Sequence, residues 1–260
     1  MALFFTKQSH YLWKQQQLTV FLLYDTLAVK KFLLFYGEYS MDKFFLALFF
    51  ISSILHLWES WNDNALGRAR TKSFPILMLA LAYIFFPGTP SPILLTALIT
   101  SWLGDVLLIP KGNKWFIIGG SSFLVSHFLF MAVYLPHIHF SRIPWLILLP
   151  AAALYASVSI AVIRAIRDNT PRIMAVSMWL YLLTNSSMNL FALMQLLTDQ
   201  QPGEIAAFAG ALLFFFSDCI LFLVRFHRNP ALVPRRHFPV MLCYLSGEFL
   251  ITLGMGMLAK

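Results

Sequence analysis

The sequence predicts an all-α membrane protein, a polytopic helical bundle with eight transmembrane helices. Of its 260 residues, 59% are apolar and only 12% are charged, whereas an average soluble domain is about 25% charged. Apolar stretches of about 20 residues, the length that a transmembrane helix needs, recur along the chain. So few charged residues cannot cover the surface of a soluble globular protein, which excludes that class. Disordered chains are poor in apolar residues, so a disordered chain is excluded as well.

Eight apolar runs have a suitable length, and turn-forming sequences such as Pro87-Gly88 and Pro202-Gly203 separate them. No segment outside these runs is long enough for a separate domain. Residues 41–260 are therefore predicted to form one eight-helix membrane domain. The predicted spans are residues 43–59, 73–88, 91–110, 114–135, 143–164, 172–198, 204–226 and 238–258.

Residues 1–40 do not fit this pattern. The apolar run that begins at Leu18 is interrupted by charged residues, among them Asp25 and Lys30, and no small-residue cleavage site follows it. We interpret this segment as an N-terminal extension. It is either a helix lying at the membrane interface or sequence upstream of the native chain, with Met41 as the true start.

The net charge of +8 comes from Lys and Arg residues clustered between the apolar runs. Loops after the odd-numbered spans carry 12 of these residues, whereas loops after the even-numbered spans and the C-terminus carry only Arg142 and Lys260. Cytoplasmic loops of membrane proteins are enriched in Lys and Arg. The odd-numbered loops are therefore predicted to be cytoplasmic, and no nucleic-acid partner is expected.

Three acidic residues lie inside predicted spans at similar depths. At about 1.5 Å per helical residue, Asp105, Asp218 and Glu248 stand about 8, 11 and 15 Å from the cytoplasmic ends of their spans. A charged side chain in mid-bilayer costs at least about 2.5–3.5 kcal/mol, so such residues face a cavity or the bundle interior. Because no Lys or Arg lies well inside a span, these carboxyls are expected to lack a cationic partner and to favour the neutral form.

Polar side chains on neighbouring spans reach the same layer. Tyr155 and Tyr181 stand about 14 Å deep by the same count. Tyr181 and Asn185 share one helix face because they are four residues apart, and so do Tyr244 and Glu248. The layer therefore predicts a site in the cytoplasmic half of the bundle, although such stripes also arise from hydrogen bonds that join membrane helices.

The two aspartates lie in similar segments. Residues 103–108 and 216–221 each place a small residue before the aspartate and apolar residues after it. The segments lie four spans apart, so both run in the same direction across the membrane. A parallel four-plus-four repeat would place Asp105 and Asp218 across a central pocket.

These motifs resemble the YhhN-type lysoplasmalogenase family of eight-helix membrane hydrolases. The resemblance covers about residues 43–258, and its match around Glu248 is looser, since a glutamine-like residue is expected there. The matching residues are Lys72 with Pro75; Gly104-Asp105 with the apolar pair that follows; the pattern of Gly119, Phe123 and His127; the pattern of Gly210-Ala211, Phe214 and Ser217-Asp218; and Tyr244 to Glu248.

The resemblance implies cleavage of the vinyl ether bond of a lysoplasmalogen, which yields a fatty aldehyde and glycerophosphoethanolamine or glycerophosphocholine. It also implies that Asp105 and Asp218 are the catalytic residues. Vinyl ether hydrolysis requires a proton on carbon and then capture of an oxocarbenium ion by water. One neutral carboxylic acid and one carboxylate suit that chemistry, as in the paired acids of glycosidases.

Other polar residues near the two aspartates are predicted to bind the substrate. Lys72 is expected to hold the lipid phosphate at the cytoplasmic rim, with Arg68 and Arg70 nearby. The expected partners are a lysophospholipid and the lipid bilayer, for a multi-pass protein of a bacterial inner membrane. The predicted substrate-binding residues are Lys72, His127, Tyr155, Tyr181, Asn185, Ser217 and Glu248.

Two other functions remain open at this point. The acids would also serve proton coupling in a transporter of lipids or small molecules, and a metal-dependent lipid amidase or esterase is the third candidate. A three-histidine metal site is poorly supplied, because His127 lies about 20 Å deep and only His56 stands near another span. No metal ligand and no cofactor is therefore predicted.

Overall fold

In a computed structural model, the described residues 41–259 form nine α-helices and three short 3-10 segments, with no strand among them. The predicted N-terminal extension, residues 1–40, lies outside the described residues, as does Lys260. The helices are α1 (Met41–Trp61), α2 (Ala65–Thr71), α3 (Phe74–Ile84), α4 (Pro92–Leu107), α5 (Asn113–Tyr134), α6 (Trp145–Ile166), α7 (Arg172–Asp199), α8 (Pro202–Phe226) and α9 (His237–Leu258).

Helix α2 is the one helix of the described chain that the sequence did not predict. Its N-cap is Asn64, whose side chain accepts a hydrogen bond from the Gly67 backbone N–H at 3.2 Å. Seven residues are too few to show an apolar period, so this stretch had the character of a loop. The helix holds Arg68 and ends beside Lys72, which brings both cations to the bundle.

Five helical segments of the described chain are long and apolar enough to cross a membrane. Helices α3 and α4 have 11 and 16 residues, fewer than the roughly 20 that a span needs. Helix α7 has 28 residues, but polar residues such as Asn185 and Asn189 interrupt its middle. The described part of the chain is thus all-helical, with apolar helices typical of a membrane protein, and the count of eight spans stays a prediction. The five segments are Met41–Trp61, Asn113–His137, Trp145–Asn169, Pro202–Phe226 and His237–Leu258.

Helices α8 and α9 are in backbone contact through glycines spaced seven residues apart in each helix. A Cβ atom added to Gly210 would lie 2.6 Å from the carbonyl oxygen of Gly247, and one added to Gly254 would clash with the carbonyl oxygen of Gly203. These pairs run in opposite order along the two chains, so the helices are antiparallel. Small residues allow this close approach, which is typical of membrane helix pairs.

An aromatic cluster around Phe214 of α8 joins three neighbouring helices. Its ring is fully buried and meets Phe123 and His127 of α5 edge to face, with centroids 6.2 and 5.0 Å away. It also meets Tyr244 of α9 at 5.4 Å. Edge-to-face pairs add to the free energy gained by burying these rings. The cluster packs α5 and α9 against the helix that carries Asp218.

Candidate active site

A cavity of about 420 Å³ lies among the helices, and both Asp105 and Asp218 line it. The two aspartates therefore share one pocket, as the repeat around them predicts. Basic residues line the same cavity at one end, where Arg68, Lys111 and Arg225 stand. These three belong to loops or helix ends that the Lys and Arg count assigns to the cytoplasm, so the cavity opens on the predicted cytoplasmic side.

Asp105 lies near the end of α4 and is only 2% exposed. The Tyr244 hydroxyl donates a hydrogen bond to its Oδ2 at 2.7 Å, and Lys72 Nζ lies 3.5 Å from its Oδ1. The expectation that this acid lacks a cationic partner is therefore wrong. Lys72 stands outside the predicted span, but its long aliphatic stem extends the ammonium group into the bundle.

Lys72 is itself enclosed by the bundle, and two opposing effects act on its ammonium group. Burial lowers the pKa of Lys72 below its ordinary value, and the neighbouring Asp105 carboxylate opposes this by favouring the charged amine. The ion pair thus opposes the effect of burial on this lysine.

Asp218 on α8 is 5% exposed and has neutral hydrogen-bond donors instead. The Tyr181 hydroxyl and the Asn185 amide both donate to its Oδ2, at 2.9 and 2.6 Å. These donors occupy consecutive turns of α7 and so reach the same oxygen. Among the described residues, no side chain donates to its Oδ1, and no lysine or arginine forms an ion pair with the carboxyl. His127 Nε2 is 3.8 Å from Oδ2, beyond hydrogen-bond distance.

A chain of buried hydrogen bonds, here called the relay, continues from Asp218 through two asparagines to a tyrosine. Asn185 Oδ1 accepts a hydrogen bond from the Asn189 amide at 3.0 Å, and Asn189 Oδ1 accepts one from the Tyr155 hydroxyl at 3.3 Å. Tyr155 is thus linked to Asp218 through two asparagines and does not itself line the cavity. The relay fixes the orientation of the Asn185 amide, so that its nitrogen points at the acid.

Glu248 on α9 is completely buried one turn deeper than Tyr244. Neither of its carboxyl oxygens has a hydrogen-bond partner among the described residues. The Ser101 hydroxyl approaches it without hydrogen-bond geometry. Glu248 lies within electrostatic range of both aspartates, but it is not part of the cavity wall.

The predicted substrate-binding residues fall into two groups in the structure. Lys72, Tyr181 and Ser217 line the cavity, and the Ser217 hydroxyl donates to the Val240 carbonyl oxygen at 3.0 Å, which ties α8 to α9. The others lie behind the wall, and a role in binding stays a prediction for all seven. The residues behind the wall are His127, Tyr155, Asn185 and Glu248.

Two residues of the site were not among the predicted site residues. Tyr244 orients Asp105, and its position four residues before Glu248 was the signal that pointed to it. His56 of α1 lines the cavity, and its Nδ1 lies 2.7 Å from the Thr71 hydroxyl. No local sequence motif indicated His56, because its hydrogen-bonding neighbour Thr71 belongs to helix α2, which was not predicted.

Within residues 41–259, no group of three or more His, Cys, Asp or Glu side chains is placed to hold a metal ion.

Comparison with known protein families gives a match between residues 67–255 and the YhhN family. The matched range includes both aspartates and every residue that contacts their carboxyl groups. No curated protein and no solved structure matches the chain.

Proposed function

Because this chain belongs to the YhhN family, which is the lysoplasmalogenase family, we propose that it cleaves the vinyl ether bond of lysoplasmalogens. The products are a fatty aldehyde and glycerophosphoethanolamine or glycerophosphocholine. The observation that carries the proposal is the pair of buried carboxyls in one cavity, each with different neighbours. Lys72 pairs with Asp105, whereas only neutral groups hydrogen-bond to Asp218.

These neighbours give the two aspartates different roles. The Lys72 ammonium stabilises Asp105 as a carboxylate, which suits a general base. Asp218 has no such counterion, and a buried acid without a counterion is held in its neutral form. Its Oδ2 is occupied by two donors, so its Oδ1 is the oxygen free to hold a proton towards the cavity. Asp218 is therefore the general acid of the proposed reaction.

The reaction then runs through two proton transfers at each aspartate. Asp218 gives its proton to the alkenyl carbon remote from oxygen, and the double-bond electrons form the new C–H bond. Water attacks the resulting oxocarbenium carbon while Asp105 accepts one of its protons. Asp105 then returns that proton to the glycerol oxygen as its bond to carbon breaks. The remaining hydroxyl proton passes to Asp218, which restores both groups and leaves the aldehyde.

The cavity has the polarity that a lysophospholipid requires. Lys111 and Arg225 stand at its basic end, where they are proposed to bind the phosphate. Arg225 is held there by its stacking on Phe116, with its guanidinium carbon 4.3 Å from the ring centroid. Lys72 remains a predicted phosphate ligand, and its contact with Asp105 supports a second role beside the proposed base.

The test is to incubate the purified full-length protein with a lysoplasmalogen and to assay free aldehyde. In heavy water, one deuterium is expected on the carbon next to the aldehyde carbonyl. In oxygen-18 water, the released glycerol hydroxyl is expected to carry no label. Label in that hydroxyl would contradict the mechanism. Intact lipid together with proton movement would indicate the transporter instead.

A further inference from the structure

The cavity reaches the outer surface of the bundle at a second place, away from its basic end. Ser121 of α5 and Leu180 of α7 both line the cavity, and both are also exposed on the outside of the bundle. Leu180 is 54% exposed. Each residue lies eight positions after the start of its helix, which places both about 12 Å along their helices. The two exposed wall residues therefore stand at one level.

Helices α5 and α7 are bridged close to this level by one pair of rings. The rings of His127 and Tyr181 are in contact, with centroids 5.1 Å apart. On the cytoplasmic side of that contact, Gly120 faces open space, since a Cβ atom built on it would meet no atom within 4 Å. Gly120 and Leu180 both line the cavity, so the space beside Gly120 between these parts of the two helices, here called the gap, belongs to the cavity.

The side chains along the gap are mostly apolar, in contrast to the basic end of the cavity. Ile117 and Leu124 line it from α5, and Leu180 lines it from α7. A molecule that fills both regions needs an anionic group at one end and a hydrocarbon chain at the other. Such a chain would leave the cavity directly into the lipid bilayer rather than into water.

We propose that this gap is a lateral opening that holds the hydrocarbon chain of the single-chain lipid substrate while its head group occupies the basic end. The inference rests on the proposed function. Both aspartates line the same cavity, so the first bond of the chain is presented to them. The rest of the chain stays in the bilayer, which explains how a cavity of about 420 Å³ serves a long lipid.

The first experiment compares Gly120→Phe with Val125→Phe on two substrates, a long-chain lysoplasmalogen in vesicles and a soluble analogue with a four-carbon alkenyl chain. Val125 is on the same helix and 47% exposed, but it does not line the cavity. For Gly120→Phe, we expect the ratio of long-chain to short-chain kcat/KM to fall about tenfold, as for lost contact with about two methylene groups. For Val125→Phe, the ratio is expected to stay unchanged.

An unchanged ratio in Gly120→Phe, or an equal fall in Val125→Phe, would overturn the lateral opening. If the unaltered protein releases no aldehyde from either substrate, the proposed function fails instead, so the two failures are distinguishable. Leu180→Trp approaches the gap from the opposite helix at an exposed position, where folding is not at risk. It is expected to lower the same ratio, and an unchanged ratio there would also contradict the opening.

A binding measurement tests the opening without catalysis. A fluorophore is attached to Ser121→Cys in a protein whose half-buried Cys243 has been replaced by serine. A lysolipid with a saturated ether chain, which has no vinyl bond to cleave, carries bromine atoms on that chain as a quencher. We expect saturable quenching that a non-brominated analogue reverses. Quenching that grows linearly with added lipid would show only bilayer contact and would overturn the proposal.

Discussion

Lys72 extends from the end of α2 to Asp105 on α4, where its Nζ lies 3.5 Å from Oδ1. Asp218 lines the same cavity but accepts its hydrogen bonds from Tyr181 and Asn185. The two carboxyls thus differ in their neighbours although they share one pocket. Enzymes distinguish a general acid from a general base by placing two titratable groups in contrasting surroundings.

Replacing either aspartate with asparagine is expected to reduce the rate of aldehyde release by at least about 10², the scale of a lost general acid or base. Asparagine keeps the size of the side chain, so the helices should still pack. Asp168→Asn is the matched control, because Asp168 lies in a 3-10 segment outside the cavity. A normal rate in either cavity variant, measured on folded protein, would remove that residue from the chemistry.

Lys72 is expected to contribute to the alkaline limb of the pH–rate profile, together with Asp218, which must keep its proton to act as the proposed acid. Burial lowers the pKa of Lys72, so its ammonium group is present at low pH and is lost at a lower pH than in an exposed lysine. Above that pH, Asp105 has no counterion and the rate falls. Arginine stays protonated across this range, so Lys72→Arg should remove the contribution of Lys72 and leave only that of Asp218.

Lys72→Ala should lower kcat across the profile, because it removes the partner of the proposed base. A variant that changes only KM would show that Lys72 binds the phosphate and does not act on Asp105. The measurement is therefore kcat and KM at several pH values for the unaltered protein and both variants.

The hydrogen bonds behind Asp218 predict a graded series of variants. Tyr181→Phe removes a direct donor and should reduce kcat about tenfold, as for the loss of one hydrogen bond to a charged or reacting group. Tyr155→Phe acts through Asn189 and Asn185, and its bond is longer at 3.3 Å, so its effect should be smaller. A larger loss in Tyr155→Phe than in Tyr181→Phe would contradict this order.

Gly210→Ala is expected to destabilise the protein by about 1–3 kcal/mol, because the added methyl group overpacks a tight interface. Its Cβ would stand 2.6 Å from the Gly247 carbonyl oxygen. Gly120→Ala is the control, since its Cβ meets nothing within 4 Å. Thermal unfolding in detergent should show a lower midpoint for the first variant alone, and equal midpoints would contradict the contact.

The sequence predicted much of this site because helical spacing determines which residues share a face. Tyr181 and Asn185 are four residues apart, and both contact the same oxygen of Asp218, as expected for one face of α7. The depth count also placed Asp105 and Asp218 in one layer, and both line one cavity.

The spacing of residues along the sequence does not predict which side chains of different helices are in contact. Lys72 and Asp105 are 33 positions apart, and their pairing depends on helix α2, which is too short to leave a pattern. Glu248 has a depth similar to that of the aspartates, but its helix turns it away from the cavity wall. Depth follows from counting residues, whereas rotation about the helix axis depends on the partners against which the helix packs.

The backbone contact between α8 and α9 has a consequence for the membranes in which this protein can work. Helix α8 carries Asp218, and α9 carries Tyr244, which holds Asp105. Their relative position is set by main-chain atoms at Gly210 and Gly247 rather than by side chains that touch lipid. A thicker or thinner bilayer acts on the outer surface of the bundle and tilts its peripheral helices. The spacing of the proposed acid and base should therefore be preserved when the lipid composition changes.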